Sequence, residues 1–192
     1  MTHNKPNGYL GSLASALFTA YAIRGLEVKT WGRRLLEIEP KAWAYVEKSG
    51  RDVDLNRHHW GFFWEEWAKY LRLRELDTVD GAGPVFPATY GVVERDKFYK
   101  SVSMRGWGGA SGNDAPMIAY DALLGCEGNW IEFCLRGVFH GGDNDSTGTI
   151  GGCWFGALYG FAGVPKIHYE KMEKIDELVE LGKELFGIAG PK

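Results

Sequence analysis

Two aspartates and a serine lie within four residues of one another in the segment His140–Gly148. Carboxylate and hydroxyl oxygens are hard ligands, which suit Mg²⁺ or a related cation far better than zinc. Two carboxylates this close together repel each other unless a positive charge lies between them. We therefore predict that Asp143, Asp145 and Ser146 bind a metal ion over a substrate that carries phosphate or sugar groups.

Two other interpretations of this segment were compared with metal binding. Aspartate and serine also cap helices, but one residue is enough for a cap. The segment begins like an EF-hand calcium loop, yet its twelfth position is Trp154, where a glutamate belongs, and this excludes an EF-hand. The cluster has too few ligands to close a metal site alone. Asp114 and Asp121 could add carboxylates from one helical face, although a cap or a surface charge explains each equally well.

The loop Arg105–Asn113 is the second candidate site, because it contains four glycines. Glycines let backbone N–H groups approach an anion closely, and a helix is predicted to begin at Asp114, directly after the loop. A flexible connector is the alternative. The interpretation of this loop as a binding element is favoured only if the loop lies beside the acidic segment.

Helical spacing of apolar residues runs through almost the whole chain and predicts an all-α single domain. The predicted helices begin near residues 10, 35, 40, 54, 114, 129, 146 and 165. Gly125 is expected to end the helix that begins at Asp114, and the aromatic stripe of the fourth helix is expected to lie in the core. Residues 76–87 are predicted to form a long loop, and only residues 98–103 show a weak strand pattern.

Four glycines recur every fourth residue at Gly148, Gly152, Gly156 and Gly160. In a helix interior they cost roughly 3–4 kcal/mol relative to alanine, at about 0.8–1.0 kcal/mol each. We therefore expect another helix to press against this glycine ridge, which would make the helix central and hold the preceding carboxylates rigidly.

The composition of the chain limits its partners and its compartment. It has 192 residues, a net charge of −3 and no block of lysine or arginine, so no nucleic-acid partner is indicated. The apolar run Tyr9–Ile23 is too short and too polar to span a membrane. Three widely spaced cysteines, Cys126, Cys134 and Cys153, form neither a disulfide framework nor a zinc pattern, which favours the reducing cytoplasm.

With these residues in place, the chain resembles the ADP-ribosylglycohydrolase family, and within it the ADP-ribosylarginine hydrolases. The resemblance covers nearly the whole chain, and its last two motifs are long and specific. The matching segments are Met1–His3, Gly8–Gly11, Gly106–Gly109, Asp114–Ala122, His140–Thr147 and Trp154–Gly160.

The resemblance implies a compact, orthogonal all-α domain that acts as a Mg²⁺-dependent hydrolase. Such an enzyme removes ADP-ribose from ADP-ribosylated arginine on a protein substrate, carries two Mg²⁺ ions and is a monomer at full length. Asp143 and Asp145 would be catalytic and, together with Ser146, would bind metal. The residues implied to bind the substrate are His3, Met104, Arg105, Gly106, Ser111, Gly112 and Asn113.

Two departures from the family pattern bear on these expectations. Family members often have histidine where this chain has Asn113, which affects substrate detail. Residues 1–192 also correspond only to the C-terminal part of the family domain, whose N-terminal half carries another acidic metal-binding motif. We therefore expect weak or no hydrolysis by this chain alone. The alternative is a non-catalytic binding or structural protein of the same family.

Overall fold

The computed structural model describes residues 3–79, 81 and 83–189, and this part of the chain is helical without any β-strand. The all-α prediction is confirmed. The helices are α1 (Pro6–Ile23), α2 (Trp31–Leu36), α3 (Glu39–Ser49), α4 (Val53–Leu73), α5 (Val92–Val102), α6 (Asp114–Cys126), α7 (Trp130–Phe133), α8 (Asn144–Tyr159) and α9 (Ile175–Ala189). Short 3₁₀ turns occur at Val28–Thr30, Met104–Gly106 and Lys166–His168, and a π-helical turn occurs at Cys134–Val138. None of the helices described combines the length and the apolar character needed to cross a bilayer.

The chain divides into two units, Met1–Gly160 with α1–α8 and Phe161–Lys192 with α9. In the second unit, the helix predicted from about residue 165 is interrupted. Lys174 has a φ of 58°, which an α-helix does not allow, so α9 begins only at Ile175. Its apolar residues recur at helical spacing, as the sequence predicts.

Aromatic side chains fill the core of the first unit, where α1, α4, α6 and α8 meet. Phe18 of α1 lies at the centre, with its ring centroid 5.1 Å from that of Tyr120 and 5.2 Å from that of Trp154. Trp67 of α4 meets Phe18 edge-on and is fully buried. The prediction that the α4 aromatic stripe belongs to the core is therefore confirmed.

Helix α6 is the most deeply buried element, since almost every residue from Asp114 to Cys126 lacks solvent exposure. The helix continues past Gly125, which was expected to end it. A Cβ atom at Gly125 would lie 2.7 Å from the Arg136 guanidinium, so this glycine makes room for a side chain. The helix ends instead where Glu127 adopts a left-handed conformation with a φ of 49°.

The glycine ridge of α8 does not pack as predicted. A Cβ built at Gly148 would lie 3.2 Å from Val138 Cγ2, but one built at Gly152 or Gly156 would meet no described atom within 4 Å apart from the adjacent backbone of α8. The close contact lies on another side of the helix, where a Cβ at Gly151 would meet the Phe133 ring at 2.6 Å. Helix α8 is therefore filled on one side and open on the glycine side.

Two local predictions around α5 and α7 have opposite outcomes. The weak strand pattern at residues 98–103 is wrong, because most of this segment forms the end of α5 and buries Tyr99. Asn129 caps α7 as predicted, since its side-chain oxygen accepts a hydrogen bond from the Glu132 N–H at 3.1 Å. After α7 the chain forms the π-helical turn Cys134–Val138 and then continues into the acidic segment.

Candidate metal centre

The acidic segment lies at the N-terminal end of α8. Asp143 is the residue before the helix, and Asp145 and Ser146 lie in its first turn. The Ser146 hydroxyl donates to Asp143 Oδ2 at 3.3 Å, and the Ser146 N–H donates to Asp145 Oδ1 at 2.9 Å. Asp145 is exposed, and the other two are half-buried. The three predicted metal ligands are thus side by side and reachable from solvent.

The two carboxyl groups influence each other's protonation. Their mutual hydrogen bond raises the pKa of Asp143 and lowers the pKa of Asp145, so Asp143 is the one that keeps a proton longer. A cation placed between two such groups would relieve their repulsion. Two carboxylates and a hydroxyl suit a hard cation such as Mg²⁺. They are an incomplete ligand set, since the described residues contain no group of three or more Asp, Glu, His or Cys side chains that could hold a metal.

His140 holds the acidic segment in place as a neutral side chain. Its Nδ1 accepts a hydrogen bond from the Gly142 N–H at 3.1 Å, and its Nε2 lies 2.8 Å from the Thr147 hydroxyl. That hydroxyl donates to the Gly137 carbonyl at 2.7 Å, so Nε2 must be the donor. Burial lowers the pKa of His140, against the opposing effect of Asp96. This ring therefore orients the segment, which agrees with the structural role that a lone histidine most often has.

The glycine-rich loop packs directly against the acidic segment. The Gly108 carbonyl accepts a hydrogen bond from the Asp143 N–H at 2.8 Å. Gly109 has a φ of 93°, and a Cβ there would lie 2.7 Å from the Asp143 carbonyl oxygen. The two sites proposed separately from the sequence are therefore neighbours, and this part of the loop is a packed element.

The C-terminal end of the same loop rests on the start of α1. Gly112 contacts the Asn7 backbone so closely that a Cβ at residue 112 would overlap it. Asn113 is buried; its Oδ1 accepts from Asn7 Nδ2 at 3.1 Å, and its Nδ2 donates to the Val102 carbonyl at 3.4 Å. The Asn113 side chain is thus engaged inside the protein, and its predicted contact with a substrate stays a prediction, as does that of the half-buried Ser111.

The remaining predicted substrate residues are exposed. Met104, Arg105 and Gly106 form a 3₁₀ turn in which Arg105 has a φ of 68° and Gly106 a φ of 72°. His3 lies against Gly8 at the start of α1. It also borders an open cavity of about 920 Å³ between α1, α3 and α4. Asp143 and Asp145 do not line that cavity, so its size alone does not make it the reaction site.

The cavity wall is held by a hydrogen bond between α1 and α4. The Tyr9 hydroxyl donates to Asn56 Oδ1 at 2.6 Å. Burial raises the pKa of Tyr9 to about 12, so this hydroxyl stays neutral at physiological pH. The wall of this cavity combines apolar side chains with polar and charged ones, among them Lys41, Arg51 and Asp52.

The carboxylates of Asp114 and Asp121 are engaged in hydrogen bonds inside the protein. Asp121 Oδ1 accepts from Arg74 Nε at 2.7 Å and from the Tyr70 hydroxyl at 3.0 Å. Asp114 Oδ1 accepts from the Ser111 N–H at 2.7 Å. Both side chains are fully buried, so the idea that they complete the acidic cluster is not supported by their placement.

Sequence comparisons point to one family. The family model described as ADP-ribosylglycohydrolase matches residues 1–191. A protein of Dictyostelium discoideum named ADP-ribosylhydrolase ARH1 is 49% identical over 201 residues, which cover 96% of this chain and 51% of that protein. An Acanthamoeba polyphaga mimivirus protein named "Putative ADP-ribosyl glycohydrolase" is 32% identical over 165 residues, which cover 83% of this chain and 31% of that protein. The chain thus spans about half the length, or less, of these relatives.

Proposed function

This chain belongs to the ADP-ribosylglycohydrolase family, and from that premise we propose that it carries the metal-binding part of a Mg²⁺-dependent hydrolase of ADP-ribosylated arginine. The observation that carries the proposal is the contact between the acidic segment and the glycine-rich loop. The Asp143 N–H bonds to the Gly108 carbonyl, so carboxylates and a loop suited to an anion occupy one place.

The chemistry of the bond fits these residue types. Cleavage of a glycosidic bond passes through a state with positive charge at the anomeric carbon. Bound Mg²⁺ would orient the ribose hydroxyls and a water molecule. The ion would be held by Asp143, Asp145 and Ser146. The neutral His140 would keep these side chains in position. We infer that two Mg²⁺ ions act, so the second needs ligands beyond these three.

The substrate contacts are proposed from the family resemblance. The exposed turn of Met104, Arg105 and Gly106 would lie along the ADP-ribose, together with the segment Ser111–Asn113 and, less directly, His3. Backbone N–H groups of such loops suit a diphosphate. Arginine as the acceptor, a protein partner that carries the modification, a monomeric full-length state and a cytoplasmic location are parts of the same proposal.

A second candidate function is binding or scaffolding without hydrolysis. It is favoured by one observation, the incomplete ligand set that the described residues offer. Against it, Asp143 and Asp145 are both present and adjacent. A protein that had lost the reaction would not need both carboxyl groups in this position.

The test uses the purified chain and a peptide that carries ADP-ribosylated arginine. We expect Mg²⁺-dependent binding of the peptide, with weak or no release of ADP-ribose, and loss of that binding in Asp145→Asn. Asp54→Asn is the matched control, because Asp54 is an exposed carboxylate in the first turn of α4 and should leave binding unchanged. Binding that does not require Mg²⁺ and is unchanged in Asp145→Asn would favour the non-catalytic function. No binding at all would refute the proposal.

A further inference from the structure

The Asp114 carboxylate joins the two ends of one loop. Its Oδ1 accepts from the Ser111 N–H at 2.7 Å, and its Oδ2 accepts from the Met104 N–H at 3.3 Å. The segment between these anchors contains Gly108, whose carbonyl accepts the hydrogen bond from the Asp143 N–H. A single buried side chain on α6 is therefore connected, through one loop, to the backbone of the acidic segment.

We propose that Asp114 is a positioning residue that fixes the segment 104–111 and, through the Gly108 carbonyl, the place of Asp143. This inference rests on the proposed function, because it assigns Asp114 a part in shaping the metal and ADP-ribose site. Asp114 itself contacts neither ion nor substrate in this account. It acts on the two loops that would do so.

The loop needs such an anchor because its backbone is strained. The strain between the two hydrogen bonds lies at Arg105, which has a φ of 68°, whereas Gly106 and Gly109 adopt their φ angles of 72° and 93° without steric cost. A left-handed conformation at a residue other than glycine persists only when the surrounding structure enforces it. The two hydrogen bonds to Asp114 tie both ends of this strained segment to the rigid helix α6.

The chemical nature of the anchor also argues against a simple helix cap. Asp114 is fully buried, and none of the ion pairs among the described residues includes it. Burial raises its pKa to about 6, although four backbone N–H groups act in the opposite direction. A serine or an asparagine caps a helix without burying a charge. Only a carboxylate offers two acceptor oxygens, one for each end of the loop.

The experiment compares amide hydrogen exchange in the wild type and in Asp114→Asn. The amide in asparagine presents one acceptor oxygen, so one anchor is lost. We expect exchange at the Ser111 and Asp143 amides to become about tenfold faster or more, as for loss of a hydrogen bond to a charged group. The amide of Tyr120, which lies deep in α6, should be unchanged. Asp54→Asn is the control and should leave all three amides as in the wild type.

The result that overturns the inference is unchanged exchange at the Asp143 amide in Asp114→Asn. A structural cap would alter the first turn of α6 without reaching Asp143. If Asp114→Asn does not fold, Asp114→Glu gives the same readout, because it keeps the charge and displaces the carboxylate by one methylene. No ligand enters this experiment. Failure of Mg²⁺ or ADP-ribose binding would thus refute the proposed function while leaving the loop result intact.

Discussion

The charge of Asp121 is matched inside the protein by Arg74, whereas at the start of α8 two carboxylates meet each other near the surface. Asp121 is fully buried and accepts hydrogen bonds from Arg74 and from the hydroxyls of Tyr70 and Tyr90. Asp143 and Asp145 have a serine hydroxyl, backbone N–H groups and each other. Both regions are acidic, but only the second leaves oxygen atoms accessible to a cation.

The comparison separates a carboxylate that already has a cationic partner inside the protein from two carboxylates that remain candidate metal ligands. Arg74 also lies over the Phe98 ring at 4.5 Å and over the Phe86 ring at 4.7 Å, so its guanidinium is enclosed. A site closed in this way has no space for an ion or a substrate. The acidic segment, by contrast, would gain stability if a cation bound there.

The largest expected effect comes from breaking the closed network. Arg74→Ala would leave Asp121 buried without its cation, and removing one partner of a buried ion pair costs about 3–5 kcal/mol of the free energy of unfolding. Guanidinium denaturation measures the loss.

A matched control exists at the surface. Arg57 also pairs with a carboxylate, Glu47 at 3.1 Å, and also lies over an aromatic ring, that of Trp43 at 4.7 Å, but its side chain is 61% exposed. Arg57→Ala should cost only about 0–1 kcal/mol. Equal losses for Arg57→Ala and Arg74→Ala would show that the network around Asp121 is not closed in solution.

A smaller effect is expected at Asp114, the buried carboxylate that has backbone partners instead of a cation. Its pKa in the folded protein is about 6, against an ordinary value of 3.8. The folded state therefore favours the protonated acid. The stability that this group adds below pH 4 is lost as the pH rises through 6, by about 2–3 kcal/mol at 1.36 kcal/mol per pKa unit.

Unfolding experiments between pH 4 and pH 7 can isolate this contribution. Asp114→Asn does not titrate, so its stability relative to the wild type should rise over that interval and level off above the pKa of Asp114. A constant offset between the two proteins at every pH would mean that the Asp114 carboxyl group is not buried as described.

The smallest effect is expected from two neighbouring glycines, which differ in the face of α8 they occupy. Gly151→Ala would push a methyl group into the Phe133 ring and should cost about 1–3 kcal/mol. Gly152→Ala meets no described atom within 4 Å and should add up to about 1 kcal/mol through helix propensity. Thermal unfolding gives both values. Destabilisation by Gly152→Ala would instead support the prediction that another helix packs against the glycine ridge.

The sequence predicted what depends on near neighbours along the chain. Helical spacing placed most helices, and the Asn129 cap and the grouping of Asp143, Asp145 and Ser146 needed only local geometry. The errors came from distant contacts. Gly125 was expected to end α6, but its role is to admit Arg136 from another segment.

The hydrogen-bond partners of Asp114 and Asp121 on α6 could not be predicted from the sequence either. Arg74 lies 47 positions from Asp121, and nothing in their spacing indicates that they meet. Met104 lies ten positions from Asp114, across a loop whose path depends on Arg105 and Gly106. Residue type and local spacing identified the candidate metal ligands. Only the fold distinguishes the carboxylates that are buried from those that remain accessible to solvent.

The central claim is that Asp143 and Asp145, at the start of α8, hold a divalent cation, and calorimetric titration with Mg²⁺ tests it most directly. We expect a saturable binding heat for the wild type and for Asp54→Asn, and no such heat for Asp145→Asn. Equal Mg²⁺ binding by the wild type and Asp145→Asn would contradict it.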